Sequence, residues 1–240
     1  MKKDYAKKIL NQTKEQYNLI AQHFSSAREK PWKEFYFLFD QFLSPGDKIL
    51  DIGCGNGRFF ELCQGQVSYF GIDNSEELIK IAQIRYPKGK YPEANFQLAD
   101  ALQLPFSDNY FDKVYSLAVL QHIPSQEFRQ QFLKEVRRVL RPRGLLFLTV
   151  WNLWRWSNVK TLIKYTILKL LGLSKLDFQD FFLTTKKENS LFKNFYYHAF
   201  TKKELRRIVE MAGFKINDSG LIVMSSKKPH SNFYLVASKL

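Results

Sequence analysis

An acidic residue and alternating glycines are combined in the first quarter of the chain. Asp51 closes the apolar run KILDI, and Gly53, Gly55 and Gly57 follow it. Glycine lets the backbone turn sharply and lets a ligand approach without a Cβ atom in the way. The spacing D-x-G-x-G-x-G differs from the G-x-G-x-x-G loop that holds a pyrophosphate at a helix N-terminus. It therefore argues against a dinucleotide site of the usual kind.

Two more acids follow predicted strands. The run SYFGI at 68–72 ends at Asp73, and the run at 95–99 ends at Asp100 and Ala101. An acid that closes the second strand is the usual partner of ribose hydroxyls, because a carboxylate can accept two hydroxyl hydrogen bonds. Each acid alone is more simply interpreted as a helix cap or a turn residue. Three acids at three successive strand ends favour one ligand site at that edge of a sheet.

The elements that must position these residues alternate between strand and helix patterns. We predict strands at 48–52, 68–72, 95–99, 111–118 and 145–150, with helices beginning at Asn74 or Ser75 and spanning 125–140. This alternation predicts a parallel sheet with right-handed crossovers. Two final strands, around 216–223 and 232–237, are expected to close it as an antiparallel hairpin. The predicted fold class is α/β, a Rossmann-like sheet of seven mostly parallel strands.

We expect a single domain made of four segments. Residues 1–43 form an N-terminal helical cap, 44–150 form the ligand-binding core, and 201–240 complete that core. The segment 151–200 is an insertion on the substrate side, rich in aromatic and basic residues. Within it, the apolar residues of 159–171 form one helical face, with Lys160 and Lys164 off that face.

Composition limits the partners and the compartment. The chain has 240 residues, and 37 Lys and Arg against 23 Asp and Glu give a formal net charge of +14. Such a charge favours an anionic partner, either nucleic acid or an anionic membrane surface. Cys54 and Cys63 offer neither a disulfide framework nor a metal-ligand cluster. Without an apolar leader or a bilayer-spanning run, we expect a reduced, cytoplasmic protein with no stable membrane insertion.

Four strings carry a resemblance to one family: HFSSAREKPW, DIGCGNGRFFEL, SLAVLQHI and YYHAFTKKEL. Together they resemble the tRNA methyltransferases that esterify 5-carboxymethyluridine at the wobble position, which are class I enzymes dependent on S-adenosylmethionine (SAM). The glycine loop is shared with a great many methyltransferases, whereas HFS-x-x-R-x-x-PW is much more specific. The resemblance spans residues 17–214. It implies SAM as cofactor, a tRNA anticodon loop as partner, and a small zinc-containing activator subunit, with which the eukaryotic members work, as a candidate partner.

The resemblance also implies roles by position. The residues that would bind SAM are Asp51, Gly53, Gly55, Gly57, Asp73, Asp100, Ala101 and Leu117. The residues that would form the acceptor pocket are Arg28, Trp151, Asn152, Tyr197 and His198, with His122 facing the methyl group. A carboxylate acceptor is already ionised at neutral pH, so positioning and desolvation are required rather than a general base. Arg28 suits a positioning role because its planar fork binds a carboxylate bidentately.

Simpler interpretations stay open at several positions. His122 is equally well explained as a helix-start residue, and His198, before the helix cap Thr201, can be structural. Phe195 stands where the family usually carries Arg, so a basic contact is missing or comes from elsewhere, with Lys193 as one candidate.

Two other functions are compatible with these residues. One is a small-molecule or lipid methyltransferase, such as one acting on a quinone precursor, whose helix at 159–171 lies on an anionic membrane. The other is a SAM-binding subunit without catalytic activity, which the departure at Phe195 favours.

Overall fold

A computed structural model describes residues 1–183, 194–225 and 230–240. Its strands in chain order are β1 (Lys48–Ile52), β2 (Ser68–Asp73), β3 (Ala94–Leu98), β4 (Phe111–Leu117), β5 (Leu140–Trp151), β6 (Asp180–Leu183), β7 (Phe195–His198), β8 (Phe214–Met224) and β9 (His230–Lys239). Its α-helices are α1 (Lys3–Ser26), α2 (Phe37–Asp40), α3 (Glu76–Arg85), α4 (Gln126–Val139), α5 (Trp156–Leu170) and α6 (Lys202–Met211).

Seven of the strands form the central sheet, in the order β3-β2-β1-β4-β5-β9-β8. The first five are parallel, and β9 runs antiparallel to both of its neighbours. The α/β fold class, the seven strands and the antiparallel C-terminal hairpin are therefore confirmed. Because β1 lies between β2 and β4, the strand order reverses there, and ligands of open α/β sheets bind outside the carboxyl ends at such a point.

Alternation along β1 explains how the sheet separates two buried layers. Leu50 and Ile52 point into one apolar cluster, which includes residues of α4 and α6. Ile49 points to the opposite face, where aromatic rings from 32–42 and 59–60 pack on the sheet. Residues 32–42 of the N-terminal cap therefore pack on one face and the helices α4 and α6 on the other, as in a three-layer α/β fold.

Strand β5 is longer than predicted. It begins at Leu140, directly after α4, and Leu140 pairs with Phe111 of β4. Residues 141–144, which precede the predicted strand at 145–150, form an irregularity within β5, where Arg143 has φ of 64° and the register shifts opposite 111–113. Proline and glycine in this stretch interrupt the pairing locally without ending the strand.

The segment 151–200 contains an element that sequence patterns did not reveal. After α5, β6 and β7 pair as a separate antiparallel hairpin, with Asp180 opposite His198 and Leu183 opposite Phe195. Both strands are short and aromatic, so they lack the polar alternation that marks a half-buried strand. Lys193, the suggested substitute for the family arginine, lies outside the described residues. The division of the chain into four segments stays a prediction.

The predicted apolar face at 159–171 lies mostly on the surface. Leu162 is buried, whereas Ile163, Ile167 and Leu170 are each exposed by half or more. Among the described residues, no helix is both long enough and apolar enough to cross a membrane.

Candidate active site

The carboxyl ends of the five parallel strands open into one cleft beneath α1. It encloses about 1050 Å³ of space, including the part that is open to solvent. Leu10, Thr13, Tyr17 and Phe24 line it from above, on one face of α1. The floor is formed by residues at or just after the strand ends, namely Ile52, Gly53, Ile72, Asp73, Ala99, Asp100, Leu117, Ala118 and Trp151.

The glycine loop requires glycine for two separate reasons. Gly53, Gly55 and Gly57 all have positive φ, at 73°, 57° and 73°. In addition, a Cβ atom at Gly53 would lie 2.3 Å from a methyl carbon of Val119, and one at Gly55 would lie 3.3 Å from the Phe24 ring. Gly53 and Gly55 face the cleft. Gly57 is not among the lining residues, because its Cα faces the ring of Phe96 on the other side.

Asp73 is held in place by backbone donors. Its Oδ2 accepts the N–H of Gly55 at 3.0 Å, and its Oδ1 accepts the N–H of Ser75 at 2.9 Å. Burial raises the pKa of Asp73, and the backbone N–H groups partly oppose that rise. Each carboxylate oxygen keeps a further lone pair for a hydroxyl donor from the cleft. Ser75, rather than Asn74, caps α3 by accepting the N–H of Leu78.

The other predicted cofactor residues divide between the cleft and the core. Asp100, Ala101 and Leu117 line the cleft. Asp51 does not, because it alternates with Leu50 and Ile52 along β1 and so points to the opposite face, where it accepts the hydroxyl of Tyr69. Burial raises the pKa of Asp51 to about 6. Its place beneath the glycine loop corrects the expectation that it contacts the ligand directly.

An aromatic wall stands at the other end of the cleft. His122 and Trp151 line the cavity, and their ring centroids are 5.9 Å apart. Tyr197 lies behind them, stacked on Trp151 at 5.4 Å and packed against His122 at 4.9 Å. Burial lowers the pKa of His122 to about 4, so its imidazole is neutral at neutral pH. The wall is therefore aromatic and uncharged.

Two residues predicted for the acceptor pocket lie elsewhere. Asn152 donates to the Ser231 hydroxyl at 3.1 Å and accepts the N–H of Trp154, so it shapes the chain after β5. His198 is buried between Asp180 at 2.7 Å and Glu204 at 2.9 Å, and it ties the β6–β7 hairpin to α6. Neither lines the cleft. The structural interpretation of His198 fits these contacts.

Two arginines enter the cleft, and only one of them was predicted. Arg28 lines the cavity, and its guanidinium lies 4.4 Å from the centroid of the Phe24 ring. Arg58, the residue directly after Gly57, lines the same cavity and is only 5% exposed. Within the described residues, neither guanidinium has a carboxylate at ion-pair distance. The sequence signal that could have identified Arg58 is its place directly after the glycine loop. That loop is shared by many proteins, so the signal is weak.

Phe195 fills the position of the family arginine with an apolar ring. It packs edge-on against Tyr17 at 5.3 Å, inside a cluster that joins α1 to the β6–β7 hairpin. The cation expected there is therefore not supplied by residue 195.

Comparisons with known proteins agree with this geometry. A model described as a methyltransferase domain matches residues 50–148. A putative methyltransferase of Encephalitozoon cuniculi is 31% identical over 205 residues, which cover 85% of this chain and 87% of that protein. The chain belongs to the class I, SAM-dependent methyltransferase family. A SAM-dependent methyltransferase structure from Methanosarcina mazei aligns with a TM-score of 0.72 and 27% identity, covering 85% of this chain and 97% of the other.

Among its relatives, this methyltransferase is similar to two proteins named tRNA (carboxymethyluridine(34)-5-O)-methyltransferase. The one from Arabidopsis thaliana is 37% identical over 135 residues, covering 56% of this chain and 31% of the relative. The one from Schizosaccharomyces pombe is 28% identical over 235 residues, covering 93% of this chain and 94% of the relative. The chain thus spans less than a third of the Arabidopsis protein. A Haloferax volcanii complex between the Trm112 methyltransferase activator and a putative methyltransferase shares the fold, with a TM-score of 0.66 and 16% identity, covering 94% of this chain and 96% of the other.

The residues present fit SAM, the cofactor of this family. The glycine loop leaves no room for a Cβ at Gly53, Asp73 offers carboxylate lone pairs, and Leu117 adds an apolar floor. When bound, SAM supplies a methyl group attached to a sulfonium. The chain itself contributes a binding surface, an uncharged aromatic wall and two cations.

Proposed function

We propose that this methyltransferase esterifies a carboxymethyl-type wobble uridine of tRNA. The observation that carries the proposal is the juxtaposition of Arg28 with an uncharged aromatic wall in the cleft that also contains the glycine loop. Arg28 can hold a carboxylate, because its guanidinium is half-buried and without an ion-pair partner in the described chain. The names of the two tRNA-modifying relatives support the same substrate.

Methyl transfer to a carboxylate requires no general acid or base from the protein. A carboxylate acceptor is ionised at neutral pH, and the neutral His122 need not remove a proton from it. The anionic acceptor and a cationic methyl donor lose their charges together in the transition state, so excluding water favours the reaction. Trp151, His122 and Tyr17 would exclude water and orient the base, while Arg28 would orient the carboxylate.

A tRNA anticodon loop suits the charge and the pocket. The net charge of +14 favours a polyanion, and unpaired loop bases can turn outward to stack on aromatic side chains. The reacting base would have to leave the stack to enter the cleft. A cytoplasmic location belongs to this proposal, and cell fractionation tests it.

We further propose that a small zinc-containing activator subunit assists this chain. The Haloferax complex, in which an activator binds a methyltransferase of the same fold, supports the idea at the level of fold. Co-expression with candidate activators, followed by gel filtration and a comparison of activity, tests it.

The deciding experiment is transfer of labelled methyl from SAM to tRNA that lacks the wobble ester, followed by nucleoside analysis. We expect an alkali-labile ester on a wobble uridine for the wild type and at least about a 10-fold lower rate for Arg28→Ala. Lys80→Ala is the matched control, since Lys80 is exposed and forms ion pairs with Glu76 and Glu77 of its own helix. The proposal fails if SAM-bound wild type, with activator added, labels no tRNA.

One observation favours a second candidate, a methyltransferase of lipids or other small molecules. The exposed Ile163, Ile167 and Leu170 of α5 lie beside Lys160 and Lys164, as in helices that bind anionic membranes. Co-sedimentation with anionic liposomes, lost in Ile163→Glu/Ile167→Glu, would support it. Leu162 is unsuited to this test because its side chain is buried.

A further inference from the structure

Arg58 is a buried cation in the cleft whose counter-charge is missing from the described chain. Its guanidinium carbon lies 4.5 Å from the centroid of the Trp32 ring and 4.8 Å from that of Phe59. Its Nε is buried without a hydrogen-bond partner in the described residues. Aromatic faces stabilise a desolvated cation in part, but a buried charge is costly unless it is paired and hydrogen-bonded. Such a group in a ligand cavity points to an anion supplied by the ligand.

The position of Arg58 indicates which part of the ligand carries this anion. The Phe24 ring lies over Gly55, and the guanidiniums of Arg28 and Arg58 lie 4.4 Å and 5.8 Å from its centroid. The nearby acids are already engaged, since Asp51 accepts the Tyr69 hydroxyl and Asp73 accepts two backbone N–H groups. Arg58 therefore lies beside the glycine loop, on the face of Trp32, with Arg28 near the same Phe24 ring.

We propose that Arg58 binds the carboxylate of the methionine end of SAM. That carboxylate is the only anionic group of the cofactor, and a guanidinium fork matches it bidentately. Arg28 is the other cation of this cleft; burial lowers its pKa, and the nearby Tyr17 and Tyr197 partly oppose that shift, so it lies toward the aromatic wall. The two arginines thus divide two carboxylates between them, one from the cofactor and one from the substrate. The role of Arg58 depends on SAM binding alone and not on the identity of the acceptor.

The test compares SAM with decarboxylated SAM, which lacks only that carboxylate. Calorimetry on the purified chain, without tRNA, measures both dissociation constants for the wild type, Arg58→Met, Arg58→Lys and Arg28→Met. We expect the wild type to prefer SAM by on the order of 10- to 100-fold. Arg58→Met should lose most of that preference by weakening SAM alone, and Arg58→Lys should keep an intermediate preference. Arg28→Met should keep most of it.

Several results would overturn the proposal. Equal weakening of both ligands by Arg58→Met would mean that Arg58 only packs between Trp32 and Phe59. Loss of the preference in Arg28→Met, with Arg58→Met unchanged, would assign the carboxylate to Arg28. Should Arg58→Met fail to fold, as judged by circular dichroism, the wild type and Arg58→Lys still decide, because a wild type with no preference for SAM refutes the proposal. Absence of tRNA methylation would leave these binding results intact.

Discussion

The hydroxyl of Tyr17 lies 3.2 Å from Nε2 of His122, which joins the middle of α1 to the segment that follows β4. The two rings also meet edge to face, at 5.6 Å between centroids. Both residues line the cleft, one in its roof and one in its wall. The N-terminal helix is therefore a part of the site, and a change at this contact should affect catalysis and stability together.

We expect Tyr17→Phe to lower the free energy of unfolding by about 1 kcal/mol, because it removes one partly buried hydrogen bond and keeps the ring. Since the roof is less firmly held, the KM for tRNA should rise while SAM affinity changes little. Thermal melts and steady-state kinetics measure these effects. Tyr36→Phe is the control, because Tyr36 is not among the described residues that line the cleft. An unchanged melting temperature in Tyr17→Phe would show that the hydroxyl contact contributes nothing.

The depressed pKa of His122 predicts a pH dependence of stability. Burial lowers this pKa from 6.5 to about 4, so the unfolded chain takes up a proton on His122 at a higher pH than the folded one. The contribution of His122 to the free energy of unfolding is fully present above pH 6.5. It is lost as the pH falls toward 4, by up to about 3 kcal/mol.

Asp51 acts in the opposite direction within part of that range. Its pKa is raised from 3.8 to about 6, so it removes stability as the pH rises from 3.8 to 6. The difference in unfolding free energy between wild type and His122→Gln isolates the histidine, because Asp51 is common to both. A difference that does not change between pH 7 and pH 4.5 would contradict the buried, neutral state of His122.

The sequence predicts a site residue well when that residue follows a strand that is itself easy to recognise. The cofactor side was largely predictable, since Gly53, Asp73 and Asp100 follow strands whose apolar runs are continuous and whose order is fixed by right-handed crossovers. Asp51 was misplaced because strand alternation, not proximity to the glycine loop, decides which face a side chain meets.

The acceptor side was less predictable because it depends on tertiary packing. His198 lies on β7, whose hairpin partner could not be inferred from its aromatic sequence, so its contacts with Asp180 and Glu204 could not be foreseen. Arg58 was missed because nothing local signals that a charged residue is buried. Its burial results from Trp32 and Phe24, which are distant in the chain.

Gly53→Ala should weaken SAM binding strongly and lower the stability of the fold moderately. The new methyl group would lie 2.3 Å from Val119, and the positive φ would be strained as well. We expect at least a 10-fold loss of SAM affinity and a loss of stability of roughly 1–3 kcal/mol. Gly65→Ala is the matched control, because Gly65 has φ of 70° with no atom within 4 Å of its added Cβ. Equal effects of the two substitutions would indicate backbone strain alone.

Asp73→Asn preserves size and removes the charge that organises the loop. The amide can still accept from one of the two N–H groups, at Gly55 or Ser75, but it loses carboxylate lone pairs needed for hydroxyl donors. SAM affinity should fall by about 10- to 100-fold, as measured by calorimetry. Asp108→Asn, at an exposed residue paired with Arg138, should bind SAM normally. Wild-type affinity in Asp73→Asn would remove Asp73 from the cofactor site.

Affinity for tRNA should fall steeply with salt if the basic surface binds phosphates. Each neutralised phosphate releases counterions, so the logarithm of the binding constant decreases linearly with the logarithm of salt concentration, by roughly 0.7 per phosphate on single strands. With about four to six phosphates contacted, affinity should drop by roughly 50- to 300-fold between 50 and 200 mM salt. Filter binding measures this slope, with SAM affinity as the internal control, since one carboxylate contact gives only a shallow slope. A flat dependence of tRNA affinity on salt would contradict phosphate binding and favour the lipid methyltransferase with its exposed apolar face on α5.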